Sequence, residues 1–196
     1  MRYFRKENTS AIVSGNLSYE NVSDRNKIRK ALIKEQSGFC AYSERYIKHT
    51  DSVDIEHFDP REKNTTNDGY YNWYATLHWL NSHKPKFIEP FLPILIPYDI
   101  DIKDRIKYED GIFVPLNADD IEAQNLIDFL GVNKAEVYSD RAKHINRIRT
   151  LKALCADNDL FLRKMIEDQD NLSFATALES VFELDVDDLI EKSLAL

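Results

Sequence analysis

Prolines at positions 85, 90, 93, 97 and 115 deny the middle of this chain any long helix. Each removes a backbone donor and pushes the residue before it toward extended conformations. The stretch Phe87 to Pro115 is therefore expected to be irregular, with a hairpin turn at Glu109-Asp110-Gly111. Helical patterns lie on either side of it. Asp24 is placed to cap a helix reaching about Gln36, with Ile28, Ala31 and Leu32 on one side and Ser37-Gly38 as its stop. The spacing predicts another helix from Trp73 to about His83, ended by Pro85. Further helices are expected over 119–130, closed by Gly131, over 134–156, and from Asp159 onward. Phe39 to Ile47 reads as a turn with short strands around it. Asp51 to Phe58 alternates enough to predict a strand ending near His57, followed by a polar loop over 59–69. The expected fold class is α+β, a small β-containing centre at 37–86 between an N-terminal segment (1–36) and a mainly helical region (87–196), all in one compact unit.

A chain of 196 residues that is 43% hydrophobic and 31% charged has enough apolar material for a proper core. Its most apolar run, Phe87 to Ile96, carries Glu89 and is broken by Pro90 and Pro93, well short of the ~20 residues a membrane span needs. Two cysteines, Cys40 and Cys155, make no disulfide framework. A cytoplasmic location away from any membrane is the expectation.

The net charge of −8 conceals an asymmetry. Residues 1–86 hold 14 Lys+Arg against 11 Asp+Glu, whereas residues 87–196 hold 12 against 23. Lys27, Lys30 and Lys34 share one helix face, and Arg141 to Lys152 carries five basic residues and no acid. Local patches thus matter more than the total. The tail from Glu179 to Glu191 interleaves Leu184, Val186, Leu189 and Ile190 with acids, which makes it a candidate docking element or a plain terminal helix.

The chemistry is concentrated in 54–84. Glu56 and His57 are adjacent at a strand end, so their side chains diverge: one can hold a metal while the other addresses a water. Asn81, on the last turn of a helix, can complete an oxygen-rich site beside Glu56. A carboxylate and an amide oxygen suit Mg²⁺, which keeps several waters and takes other oxygens from substrate phosphate. A neutral histidine opposite such a metal can deprotonate a water for attack on phosphorus.

Glu56-His57, Asn72 and Asn81, in that order and with nine residues from Asn72 to Asn81, resemble the HNH endonuclease family with its ββα-metal core. The segments GFCAYSERYI, IEHFDP, YYNWYATLHWLNSHK, YEDGIFVP and LIDFLGVNKAEVYSDRAKHINRI extend the likeness, over roughly 20–150, to the subfamily that includes the nuclease subunit of the Septu anti-phage system and retron-associated relatives. The resemblance implies a DNA endonuclease using Mg²⁺ or Mn²⁺. In it His57 is the general base, Glu56 and Asn81 are metal ligands, and Asn72 orders the loop and helps hold His57. Lys84 matches a lysine the family often carries, and His83 and Lys84 become candidate phosphate contacts. Lys27, Lys30 and Lys34 become the favoured DNA-binding face. An ATPase partner subunit, an anti-phage role and a homo-oligomer are further expectations of the same kind. The alternatives are a catalytically inactive HNH-fold DNA-binding or assembly module, and an RNA (tRNA)-cleaving effector.

One departure carries its own expectation. Family members commonly hold a structural zinc on two Cys-x-x-Cys knuckles, whose places here are Cys40, Ser43, Leu77 and Leu80. One thiolate cannot make a tetrahedral site, and a cluster of Phe39, Tyr42, Leu77, Trp79 and Leu80 is expected to take over the metal's structural role. Elemental analysis of protein purified without chelator should find no stoichiometric zinc. One zinc per chain would mean that other ligands, such as His49 or His78, have replaced the thiolates.

Overall fold

The computed structural model describes residues 1–195. Its elements in chain order are α1 (Ala11–Ser14), α2 (Val22–Glu35), β1 (Val53–His57), β2 (Trp73–Leu77), α3 (His78–His83), α4 (Ile102–Arg105), β3 (Ile106–Glu109), β4 (Ile112–Pro115), α5 (Ile121–Leu130), α6 (Ala135–Leu154), α7 (Asn158–Glu167), α8 (Ala175–Phe182) and α9 (Val186–Leu194), with short 3₁₀ turns between them. The α+β expectation holds at this level: helices predominate around two small antiparallel sheets, β1-β2 and β3-β4.

Residues 73–83 are divided differently from the expectation. Trp73–Leu77 is a strand, paired antiparallel with β1 so that His57 faces Trp73, Glu56 faces Tyr74 and Val53 faces Leu77; the helix is only His78–His83. The reason is burial on both faces. Trp73, Tyr74, Ala75 and Thr76 are all buried, so β2 lacks the polar alternation that marks a half-exposed strand, and its apolar run reads equally well as a helix. On one side Ile55, Trp73 and Ala75 pack against Ile28 and Leu32 of α2. On the other, Tyr74 joins Tyr42, Phe58, Leu80 of α3 and Phe129 of α5. A third cluster gathers α6 to α9 around Phe161, Met165, Leu178 and Ile190, with Phe39 reaching into it.

Local signals account for most boundaries. Asn21, rather than Asp24, caps α2 by accepting from the Ser23 amide at 3.1 Å, and Asp24 sits in the first turn, where a carboxylate favours the helix dipole. Asp110-Gly111, both at positive φ, make the expected two-residue turn between β3 and β4. Asp120 caps α5 and Gly131 ends it in the left-handed conformation. Among the described residues no helix is long and apolar enough to cross a membrane.

Two expectations about surfaces change. The apolar residues of α9, Val186, Leu189 and Ile190, are buried in the C-terminal cluster, and Asp187 pairs with Arg2 and Lys103. The acidic tail is thus a packed terminal helix, with its apolar side turned inward. In the basic run, Arg141 is buried and donates to the carbonyls of Val132 and Gly111, each at 3.0 Å, so it braces the fold.

One side chain joins α2 to the hairpin. Gln36 is buried; its Nε2 donates to the carbonyls of Phe39 and Ala75 and its Oε1 accepts from the Ala75 amide, all at 2.8 Å. It pairs with Ala75 as a third strand would. Gln36→Leu leaves the Phe39 carbonyl and the Ala75 amide without partners, at ~1–3 kcal/mol each, while the Ala75 carbonyl keeps the Ala41 amide at 3.1 Å. We expect urea unfolding to show a loss of about 2 kcal/mol or more; a loss under ~1 kcal/mol would mean that water or a backbone shift replaces the amide.

Candidate functional site

The hairpin fixes where its polar residues point. Successive strand residues face opposite sides, so Asp54 and Glu56 share the α3 side of β1, whereas Ile55 and His57 share the α2 side. The polar ends of both sets meet in a cleft of about 520 Å³ at the end of β1, lined by Asp54, Glu56, His57 and Asn81 and by the cations Arg25, Arg29, Lys63, Lys84 and Lys86. Three residues expected to act together, Glu56, His57 and Asn81, are therefore neighbours around one cavity.

His57 is buried. Its ring meets the Tyr19 ring edge-on at 4.5 Å, and its Nε2 lies 3.1 Å from Asp68 Oδ1, an ion-pair distance but too bent for a hydrogen bond. Asp68 is itself held, because Oδ1 accepts from the Trp73 indole at 2.6 Å and Oδ2 from the Asn64 amide. Burial pulls the His57 pKa down to about 4, with the Lys63 and Lys84 charges acting the same way and Asp68 opposing them. The imidazole is therefore neutral at pH 7, the form that accepts a proton.

Glu56 is buried on the other side, with Oε1 2.6 Å from Lys84 Nζ. Burial raises its carboxyl pKa, Lys84 works against that rise, and Asp54 adds to it. Lys84 is likewise buried, donating to the carbonyls of His57 at 3.4 Å and Phe58 at 3.2 Å, with its ammonium over the Phe129 ring. Burial lowers its pKa and the Glu56 charge raises it. This lysine is a holder of the strand end, committed to Glu56 rather than extended toward a substrate phosphate.

Asn81 lines the cleft but hydrogen-bonds Asp54, its Nδ2 donating to Oδ2 at 2.8 Å, and the same oxygen lies 2.8 Å from His78 Nδ1. Asp54 is not among the residues the sequence pointed to, though its place two residues before Glu56 on one strand is a period-2 signal that could have found it. Asp68 had no such signal, since only the fold of the loop brings it to His57. Asn72 does order the loop: its Oδ1 accepts from the Asp59 amide at 2.7 Å and its Nδ2 donates to the Asp59 carbonyl at 2.9 Å, which fixes the chain just after His57. Its bonds are to Asp59 rather than to His57 itself.

The other candidates lie elsewhere. His83 is exposed outside the cleft and stacks on Trp79 at 4.3 Å. Lys27, Lys30 and Lys34 are on α2, roughly 150° around the helix from Arg25 and Arg29 at about 100° per residue. The arginines, not the lysines, line the cleft.

A cation at Glu56 would draw on the Glu56 carboxylate, the Asn81 amide oxygen and Asp54. These oxygens suit Mg²⁺ or Mn²⁺. Among the described residues no three His, Cys, Asp or Glu side chains cluster closely enough to hold a metal by themselves, so water or phosphate oxygens would complete the shell. Where zinc knuckles would lie, Cys40 Sγ accepts from the Leu77 amide at 3.4 Å, and Cys40, Tyr42 and Leu80 are buried with Leu77 against them. Phe39 and Trp79 do not join them: Phe39 belongs to the C-terminal cluster and Trp79 is 40% exposed.

Scanned against models of known protein families and against curated proteins, the chain matches none significantly.

The depressed histidine carries a pH consequence. His144, also buried, has its pKa lowered to about 4, by burial first and by Arg147 next; its two nitrogens meet the Asn171 carbonyl and the Arg147 guanidinium, each at 3.2 Å. For both histidines the folded pKa lies below the unfolded value near 6.5, so the stability each contributes is present above pH 6.5 and is lost as pH falls toward 4. The loss is up to about 3 kcal/mol each. The urea midpoint should fall steadily from pH 6.5 to 4.5, and His57→Asn should flatten that slope. A midpoint indifferent to pH would mean that neither ring is buried neutral.

Proposed function

We propose that the chain is a metal-dependent endonuclease of the HNH type that hydrolyses DNA phosphodiester bonds. The observation that carries the reading is the convergence of a neutral buried histidine, a carboxylate and a carboxamide on one cleft whose rim is cationic, in a chain that is acidic overall. The order β1, β2, α3, with Glu56-His57 ending the first strand and Asn81 on the helix, supports it. The further expectation, an effector of an anti-phage system working with an ATPase subunit, rests on the family resemblance alone.

In this mechanism His57 accepts a proton from the water that attacks phosphorus, and the Tyr19 ring and Asp68 hold its imidazole in place. Glu56 and Asn81 would hold the divalent ion, which when bound stabilises charge on the phosphoryl oxygens and the leaving 3′-oxygen. Lys84 keeps Glu56 aimed at the cleft, and Asn72 fixes the turn after His57. The rim cations offset the phosphate charge.

Supercoiled plasmid and RNA incubated with Mg²⁺ or Mn²⁺ test the proposal. Wild type should nick the plasmid, and His57→Ala should be slower by ~10²–10⁴, as expected for loss of a general base. Equal cutting by His57→Ala removes that residue from the chemistry, and cleavage of RNA alone replaces the substrate.

A further inference from the structure

The cleft holds more positive charge than its own carboxylates use. Lys84 is matched to Glu56, and Asp54 to Asn81 and His78. Arg25, Arg29, Lys63 and Lys86 line the same cavity, and among the described residues none of the four is ion-paired. In a chain with eight more acids than bases this is an arrangement that only an anion from outside would complete.

Arg25 is already posed for one. Its Nε donates to the Tyr19 carbonyl at 2.8 Å and its guanidinium carbon lies 4.5 Å from the centre of the Tyr19 ring. The side chain is thus pinned at Nε and along its plane, leaving the terminal nitrogens as the fork that grips a phosphate in two places. Lys63 Nζ lies 5.4 Å from the centre of the same ring, so two cations share one tyrosine beside His57. Arg29, one turn beyond Arg25, has a buried Nε with no hydrogen-bond partner. An unsatisfied guanidinium nitrogen beside two further unpaired cations costs stability unless a ligand oxygen arrives.

We infer that Arg25 and Arg29, together with Lys63 and Lys86 of the same cavity, form the seat for the phosphate backbone of the DNA strand that crosses the Glu56–His57 centre. The inference rests on the reading of that centre as a phosphodiester site, and it places the grip on the arginine side of α2. Tyr19 is the positioning residue that sets Arg25 and His57 at a fixed relation to each other.

The test is duplex binding followed by fluorescence anisotropy, in EDTA so that no cutting occurs, over a series of salt concentrations. Arg25→Gln with Arg29→Gln should raise Kd at least tenfold and reduce the salt slope by roughly 1.8, about 0.9 for each phosphate that is no longer neutralised. Arg163→Gln on α7 should change neither, and Lys27→Gln with Lys30→Gln should cost less than the arginine pair. Circular dichroism confirms that each variant is folded. An unchanged Kd and slope for the arginine pair, a larger loss for the lysine pair, or a wild type that binds no duplex would each overturn the inference. So would inorganic phosphate competing as effectively as DNA phosphate, which would make the cleft a small-anion site. Arginine-dependent binding by a wild type that never cuts with Mg²⁺ would uphold the seat while the hydrolytic reading falls.

Discussion

The site depends on a hairpin buried on both faces. Because β1 and β2 lie between α2 on one side and α3 with α5 on the other, two adjacent residues at the end of β1 are each driven into a different low-dielectric environment. Glu56 is desolvated against Lys84, and His57 is desolvated against Tyr19, Trp73 and Asp68. A strand with one face in water could have buried only one of them. The same burial gives an acid and a base neighbouring positions in sequence and different electrostatic surroundings.

Desolvated charges need partners, and the surrounding residues supply them unevenly. Glu56 has Lys84, and Asp54 has Asn81 and His78, so each carboxylate on that side of the cleft has a partner within the protein. The histidine side is not. Lys63 and Lys84 help to keep His57 neutral, and Arg25 and Arg29 add charge without a carboxylate in contact. The imbalance separates a surface built for a ligand from one merely solvated. Exposed lysines such as Lys27, paired with Asp24 on the outer side of α2, can satisfy themselves with water and neighbours. Arg25 and Arg29 are half-buried at the cleft and have no acid in contact.

Most of the helical frame was legible in the sequence because its punctuation is chemical: Asp120 before α5, Gly131 after it, and the Asp110-Gly111 turn all do what their residue types dictate. The strand ending at His57 was legible through its alternation. β2 was not, because a run buried on both sides loses the period-2 signal and borrows the look of a helix. Glu56, His57 and Asn81 of the cleft, and Asn72 behind it, were picked out through the family resemblance that their order and spacing carry. Asp68 and the arginine lining could not, since a loop spanning 58–72 and the rotation of α2 decide which side chains reach the cleft. Sequence spacing put Lys27, Lys30 and Lys34 on one face but could not say which way that face turns.

In the proposed reaction a water activated at His57 attacks phosphorus in DNA. It is tested most directly by cleaving a defined duplex with Mg²⁺ in ¹⁸O-enriched water and weighing the products. That reaction leaves one ¹⁸O per cut, carried on the new 5′-phosphate, with product formation all but absent in His57→Ala. Products with no label from solvent, or labelled products formed as fast without the His57 imidazole, would contradict it.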